Sequence, residues 1–306
     1  MQSILRLKEV TKTYKNLTAV NHINLDIKQG GIYGLIGKNG AGKTTLMRMI
    51  AGLTYMDSGE MWLFEENKRA LWDTCRKRMS FIIETPYISP TLTAAQNMNL
   101  QRIQRGIALK ERIDENLELV GLGDVKNKKV EEFSLGMKQR LGIAMAMLPN
   151  PEFLILDEPI NGLDPIAIIE MRELILKLNK DYKTTILISS HILEELYQVA
   201  TDYIIMNQGS IIKTLSLSEL DKACGKTLCI GVDKEEKAVQ IIKDLGYKQA
   251  VVEENGEIKI LDPVIDTVVL AKRLVLQDVG IYYMTPIKKS LEQYFVELIG
   301  SEKEDD

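Results

Sequence analysis

The segment Ile32-Tyr33-Gly34-Leu35-Ile36, the turn Gly37-Lys38-Asn39-Gly40-Ala41-Gly42-Lys43-Thr44 and the run Thr45-Leu46-Met47-Arg48-Met49-Ile50 constrain this chain more than any other stretch. An apolar run, a glycine-rich turn and an amphipathic run in that order read as buried strand, loop and helix. The loop satisfies G-x-x-x-x-G-K-[ST] at every fixed position. Gly37, Gly40 and Gly42 are expected to let the backbone wrap a phosphate chain where a Cβ would obstruct it. The helix that follows aims its free N–H groups and positive dipole end at the same anion. Gly37, Lys38, Asn39, Gly40, Ala41, Gly42, Lys43, Thr44 and Thr45 are therefore the candidate phosphate-binding residues. Lys43 is expected to reach the β- and γ-phosphates, and the Thr44 hydroxyl to hold Mg²⁺. The loop by itself specifies a nucleoside triphosphate and leaves the kind of machine open.

Bulk properties narrow that choice. A chain of 306 residues has room for two domains. A net charge of −4 supplies no overall drive toward nucleic acid or an anionic membrane surface. No apolar run approaches the ~18 residues of a membrane span, and the N-terminus has no signal-peptide pattern. Cys75, Cys224 and Cys229 have neither pairing nor zinc-ligand spacing, which fits a reducing cytosol. A membrane role is then expected to come through a partner.

Along the chain, Leu5, Leu7 and Val10 begin one strand, and Val20, Ile23, Leu25 and Ile27 alternate as a half-buried antiparallel strand. Tyr14 stands ahead of the loop, where its ring could stack on a base. After the first helix, Met61–Phe64 read as a strand, residues 66–78 as a charged, solvated linker and helix, and Ser80–Glu84 as a strand that Pro86 cannot continue. Thr93 to about Val120 read as helical, and a further helix starts at Ser134, a good N-cap. Residues 85–150 thus look like a helical subdomain set into an α/β core. Phe153-Leu154-Ile155-Leu156 suits a central parallel strand, ending at Asp157-Glu158-Pro159. Residues 164–180 read as a helix and Thr184–Ser190 as a second buried strand ending at His191. A helix over 192–199 and a hairpin turning at Asn207-Gln208-Gly209 close this part. From about 220 the order βαββαβ and a closing helix suit a split-βαβ, ferredoxin-like sandwich without a cofactor signature. A turn at Asn255-Gly256 and a frayed acidic end over 301–306 are expected.

Together these residues resemble the nucleotide-binding subunit of an ATP-binding cassette (ABC) transporter over about residues 3–220. Tyr14 is similar to that family's adenine-stacking aromatic, Gly37–Thr44 to its phosphate loop, and Ser134-Leu135-Gly136-Met137-Lys138-Gln139 to its signature. Phe153–Asp157 resemble the magnesium-binding strand, Glu158 the catalytic carboxylate, Asn161-Gly162-Leu163-Asp164 the D-loop and His191 the switch histidine. The resemblance implies an α/β P-loop NTPase core with an N-terminal antiparallel β subdomain and the inserted helical subdomain, over residues 1–219. Residues 220–306 are expected to form a small accessory α+β domain. It also implies ATP and Mg²⁺ as cofactors, with Thr44, Glu84 and Asp157 toward the metal. Glu158 would act as general base and His191 would sense the γ-phosphate. Ser134 and Gly136 would bind the nucleotide of an opposite subunit, so the working unit is a homodimer or a pair of cassettes.

Two departures carry information. Met137 replaces a signature glycine, while Ser134-x-Gly136 is kept. Glu84 stands where most cassettes carry Gln, which keeps metal-binding capacity and adds a negative charge near ATP. Cassettes with this Glu resemble the bacitracin and lantibiotic-immunity exporters. The expected function is thus an ATPase, peripheral on the cytoplasmic face of the membrane. It would energise export of, or immunity to, a peptide antibiotic through a separate permease. Export of a lipid or drug, and a soluble ABC ATPase acting on ribosome or DNA, are the alternatives. One phosphate loop, mild acidity and only about ninety residues between Thr45 and Ser134 weigh against the soluble class. A P-loop kinase or GTPase leaves Ser134–Gln139 and His191 unexplained. The C-terminal domain is open between a regulatory or dimer-stabilising module and a stability element.

Overall fold

The computed structural model describes residues 2–224, 226–247, 250–253, 256–261, 265–288 and 291–301. They form two compact units, Met1–Leu217 and Ser218–Asp306.

The first unit opens with β1 (Ser3–Tyr14) and β2 (Leu17–Lys28), an antiparallel pair. Val20, Ile23, Leu25 and Ile27 are all buried. The three-residue step from Val20 to Ile23 breaks a strict period of two, and a register shift with His22 at φ 47° restores the inward face. Next come β3 (Ile32–Ile36), α1 (Lys43–Ala51) and β4 (Ser58–Leu63), which begins three residues ahead of the expected strand Met61–Phe64. α2 (Trp72–Arg76) precedes β5 (Met79–Ile82). The segment 66–78 is less solvated than its charges suggest, because Trp72 and Cys75 pack into the core.

The expected helical stretch after Thr93 is two helices, α3 (Ala94–Gln104) and α4 (Glu111–Leu119), separated at Gly106. Thr93 and Gln96 close a capping box on α3. α5 (Leu135–Met147) starts on Ser134, whose hydroxyl accepts from the Met137 N–H. β6 (Phe153–Leu156), α6 (Pro165–Tyr182), β7 (Thr185–Ser190), α7 (Leu193–Tyr197) and the hairpin β8 (Asp202–Asn207) and β9 (Ser210–Ser216) follow.

Two sheets organise this unit. One is β2-β1-β4; the other is β5-β6-β7-β3-β8-β9, parallel except for the closing hairpin. β3, β6 and β7 are buried at every position, as strands covered on both faces must be. Leu46 and Ile50 of α1 pack with Leu5 and Val20 of the antiparallel sheet and Phe153 and Leu187 of the parallel one. Each such fully buried aliphatic contributes about 1.5–3 kcal/mol.

The second unit contains α8 (Leu217–Ala223, its first residue in the preceding unit), β10 (Lys226–Val232), α9 (Glu235–Asp244), β11 (Ala250–Val252), β12 (Ile258–Leu261), α10 (Thr267–Leu276), β13 (Ile281–Lys288) and α11 (Leu291–Ser301). Its sheet is antiparallel in the order β11-β12-β10-β13, the split-βαβ arrangement, with Leu228, Ile230, Ile241 and Leu270 in its core. Asn255 and residues 302–306, parts of the expected turn and acidic end, lie outside the described residues.

Two of the loop glycines, Gly37 and Gly42, have a physical reason besides the one the motif suggests. Gly42 caps α1 at φ 102°, and a Cβ there would overlap the carbonyl oxygen of Ala19 on β2. A Cβ on Gly37 would sit 2.5 Å from the carbonyl oxygen of Met206 on β8. Close approach of backbone to backbone, before any ligand, excludes side chains at both positions. Gly42→Ala is therefore expected to lower the unfolding free energy of nucleotide-free protein by roughly 1–3 kcal/mol. Chemical denaturation measures this, and an unchanged midpoint would return Gly42 to a purely ligand-side role.

Candidate active site

The parallel register sets the site. Leu156 pairs with Ile188 and Ile36 with Ser190, so β3 and β7 end level and β6 ends two residues before them. Asp157 and Glu158 just past β6, Ser189 at the penultimate position of β7, His191 just past it and the loop after β3 meet at the carboxyl edge of the sheet, where ligands of open α/β folds bind. An open cleft of about 810 Å³ lies there, bordered by Tyr14, residues 38–45, Glu158, Asn161, His191 and Gln208.

At its floor is a chain of hydrogen bonds. The Thr44 hydroxyl, on the first turn of α1, donates to Asp157 Oδ2 at 2.8 Å. Ser189 Oγ donates to Asp157 Oδ1 at 2.6 Å and accepts from the Glu158 N–H at 2.9 Å. Asp157 is buried with both oxygens satisfied. Glu158 then turns into the cleft with φ 49°, a left-handed conformation costing about 1–3 kcal/mol in a non-glycine residue. Its Oε2 lies 2.8 Å from His191 Nδ1 and its Oε1 3.4 Å from Lys43 Nζ. Lys43 is buried and donates to the Gly37 carbonyl at 2.6 Å. A carboxylate, an imidazole and an ammonium thus converge on one point beneath the loop.

Tyr14 lies at the cleft's far wall, 44% exposed, its hydroxyl 3.3 Å from Thr54 Oγ1 and its ring face beneath Lys12 Nζ. Four of the residues named from the sequence stand outside this cleft. Ser134 and Gly136 are at the start of α5 and do not border the cleft. Glu84, also left-handed at φ 65°, is exposed and forms an ion pair with Arg48, one turn beyond Thr44 on α1. Asp164 spends its carboxylate on capping α6, accepting from the Ile166 and Ala167 N–H groups.

The pattern of motifs missed three participants. Ser189 holds two neighbouring carboxylate residues in place, and its signal was only its place two residues before His191. Arg48 reads as a helix-surface cation until β5 brings Glu84 beside it. Glu195 on α7 is the third: burial pushes its carboxyl above the usual range, with His191 and Arg172 opposing the shift.

The sequence profile described as ABC transporter matches residues 20–161. The chain is 41% identical to the bacitracin transport ATP-binding protein BcrA of Bacillus licheniformis, over 98% of each chain. The chain belongs to the ABC transporter family. It is also 41% identical to the lantibiotic transport ATP-binding protein SrtF of Streptococcus pyogenes, over 68% of this chain and 89% of that one. Among solved structures it resembles the ATP-binding cassette MJ0796, described as a dimer in a post-hydrolysis state bound to ADP and Pi. That match has a TM-score of 0.62 at 26% identity, over 70% of this chain and 98% of that one. As an ABC ATPase, the protein binds and hydrolyses ATP.

Two variants probe the geometry of this cassette. Ser189→Ala removes the bridge between Asp157 and the Glu158 backbone. It should lower kcat about tenfold, equal to about 1.4 kcal/mol, with ATP affinity little changed. An equal loss in affinity would make Ser189 a structural residue only. Glu84→Gln dissolves the charge pair with Arg48 and should shift the magnesium dependence of hydrolysis while sparing ATP binding. Identical magnesium titrations would show that the carboxylate is neutral there.

Proposed function

We propose that this chain is the motor of a peptide-antibiotic exporter, energising removal of a bacitracin-like or lantibiotic-like peptide through a separate membrane permease. The observation that carries this reading is the match to a bacitracin transport ATP-binding protein along 98% of both chains. That match takes in the C-terminal unit as well as the cassette. Among the described residues no helix is long and apolar enough to cross a membrane. The protein would therefore act from the cytoplasmic face through its permease, docking beside Glu84 and the segment 85–105.

The residues divide the work as follows. Tyr14 stacks on adenine, residues 37–45 cradle the phosphates, and Lys43 leaves the Gly37 carbonyl for the β- and γ-phosphates. The Thr44 hydroxyl and Asp157 carboxylate, 2.8 Å apart, fit one hard cation between them. Among the described residues no group of three or more His, Cys, Asp or Glu could cage a metal. The remaining oxygens would thus come from phosphates and water, as Mg²⁺ prefers. Bound there, Mg²⁺ neutralises charge developing on the phosphates. Glu158 takes the proton of the attacking water, and its strained backbone together with Ser189 aims the carboxylate. His191, in contact with Glu158, senses the γ-phosphate. Glu84 joins the metal's surroundings only on leaving Arg48.

Ser134 and Gly136, away from the cleft of their own chain, complete the cleft of a second copy or a sister cassette through the N-terminus of α5. The dimeric state described for MJ0796 supports that assembly. Two bound ATP molecules then hold the pair closed, and hydrolysis releases it.

Expression with the permease in a sensitive Gram-positive strain tests the substrate. Tolerance to bacitracin or a lantibiotic should rise with the wild-type chain and fall back with Glu158→Gln. Unchanged sensitivity to both classes would sink the assignment. In purified protein, Glu158→Gln should cut turnover by about 10²–10⁴-fold, retain ATP binding and accumulate a closed dimer by size-exclusion chromatography. Undiminished turnover would remove Glu158 from its role.

A further inference from the structure

The wall of the cleft that carries Tyr14 is built in two layers. Tyr14, the last residue of β1, and Leu17, its pair across the turn to β2, border the cleft. Lys12, Thr54 and Asp57 support that wall from outside, and none of them borders the cleft. Lys12 Nζ lies 5.2 Å from the centroid of the Tyr14 ring, within the reach of a cation–π contact. The Tyr14 hydroxyl, 3.3 Å from Thr54 Oγ1, ties the other end of the side chain to the loop that leaves α1.

Lys12 is itself held in place. Its Nζ donates to Asp57 Oδ1 at 2.7 Å, and its side chain is only 14% exposed. Asp57 Oδ2 accepts from the Thr13 N–H at 2.8 Å, and the Asp57 N–H donates to the Thr11 carbonyl at 2.9 Å. The bonds from Lys12 and the Thr13 N–H keep the Asp57 carboxyl below the usual carboxylate range. Earlier in the same loop, the Leu53 and Thr54 N–H groups donate to the Arg48 carbonyl, in the last turn of α1, at 2.8 and 3.3 Å. Tyr14 is thus fastened to the far end of the helix whose first turn carries Lys43 and Thr44. At 44% exposure its ring is only partly held by packing, and the cation and the hydroxyl contact supply the rest.

Resting on the reading that Tyr14 stacks on adenine, we propose that Lys12 is a positioning residue for the nucleotide base: clamped by Asp57 over one face of the Tyr14 ring, it fixes that ring, together with Thr54, so that the opposite face meets the base. A cation seated on one face leaves the other for stacking. The Asp57 carboxylate neutralises the ammonium, so Lys12 acts through Tyr14 and not as a free charge for the phosphates. Orienting the ring before the nucleotide arrives removes that ordering from the cost of binding. Base platform and phosphate loop are then both referenced to α1, one at each end, which fits the length of a nucleoside triphosphate lying along the cleft.

Comparing ATP with tripolyphosphate, which offers the phosphates without the base, tests this on the full chain. Calorimetry gives the affinity for ATP, and inhibition of ATP hydrolysis gives that for tripolyphosphate. Lys12→Met keeps the apolar stem and loses the ammonium; it should weaken ATP binding about threefold to tenfold, the size of a cation–π contact, and leave tripolyphosphate inhibition as in the wild type. KM for ATP should rise by the same factor with kcat little moved. Asp57→Asn, which retains an acceptor for the Thr13 N–H and releases Lys12, should show the same base-dependent loss. Tyr14→Ala should weaken ATP binding, and adding Lys12→Met to it should bring no further loss, as expected when one residue acts through the other. Wild-type ATP affinity in Lys12→Met beside a weakened Tyr14→Ala would overturn the proposal and leave the stacking reading standing. An equal loss for tripolyphosphate, or a further loss on top of Tyr14→Ala, would also overturn it, by placing Lys12 on the phosphates or in the general stability of the wall. Wild-type ATP affinity in Tyr14→Ala would instead overturn the stacking reading itself.

Discussion

The site depends on the Thr44–Asp157–Ser189 hydrogen-bond chain, which ties the first turn of α1 to the ends of β6 and β7. Its three members come from segments more than thirty residues apart in sequence, joined because β3, β6 and β7 run parallel and in register. A one-residue slip of a strand would reverse the faces of its side chains and take Asp157 out of reach. Complete burial of those strands makes such a slip costly, because it would expose nothing and repack everything. The hydrophobic core therefore acts on the chemistry by holding register.

Built on that floor, the cleft gathers opposite charges at short range. Lys43 and His191 lie on either side of Glu158, and the buried Asp157 is satisfied by two hydroxyls. Hydroxyl donors orient Asp157 and leave its charge in place, which suits a residue that must face a cation. Glu158 and Glu84 share a left-handed backbone that glycine or asparagine would adopt more readily. The left-handed backbone at these two carboxylates aims Glu158 into the cleft and brings Glu84 beside Arg48.

The pair Arg48–Glu84 connects this floor to the outer surface. Arg48 is one helical turn from Thr44, and Glu84 is two residues past the end of β5. Both partners are substantially exposed, so the pair contributes little to stability and can be exchanged for other contacts at small cost. A link of that strength suits a switch better than a strut.

Much of this architecture was legible along the chain. Apolar runs at 32–36, 153–156 and 185–190 are too short for helices and too continuous for half-exposed strands, which leaves buried parallel strands. The phosphate loop, Glu158 and His191 are readable because local spacing encodes their placement at strand ends. The βαββαβ order likewise announces the C-terminal sandwich. What adjacency in sequence does not encode was decided only in three dimensions. Trp72 and Cys75 are buried despite charged neighbours, because α2 lies over the core. Gly37 and Gly42 are glycines because Met206 and Ala19 pass within contact distance. Ser189 becomes a bridge because β6 and β7 are neighbours. Glu84 faces Arg48, and Ser134 lies away from the loop it was expected to serve in another chain. Residue type and short-range period specify which chemistry the chain carries. Long-range packing specifies which groups meet, since that depends on strand order and register that no local segment contains.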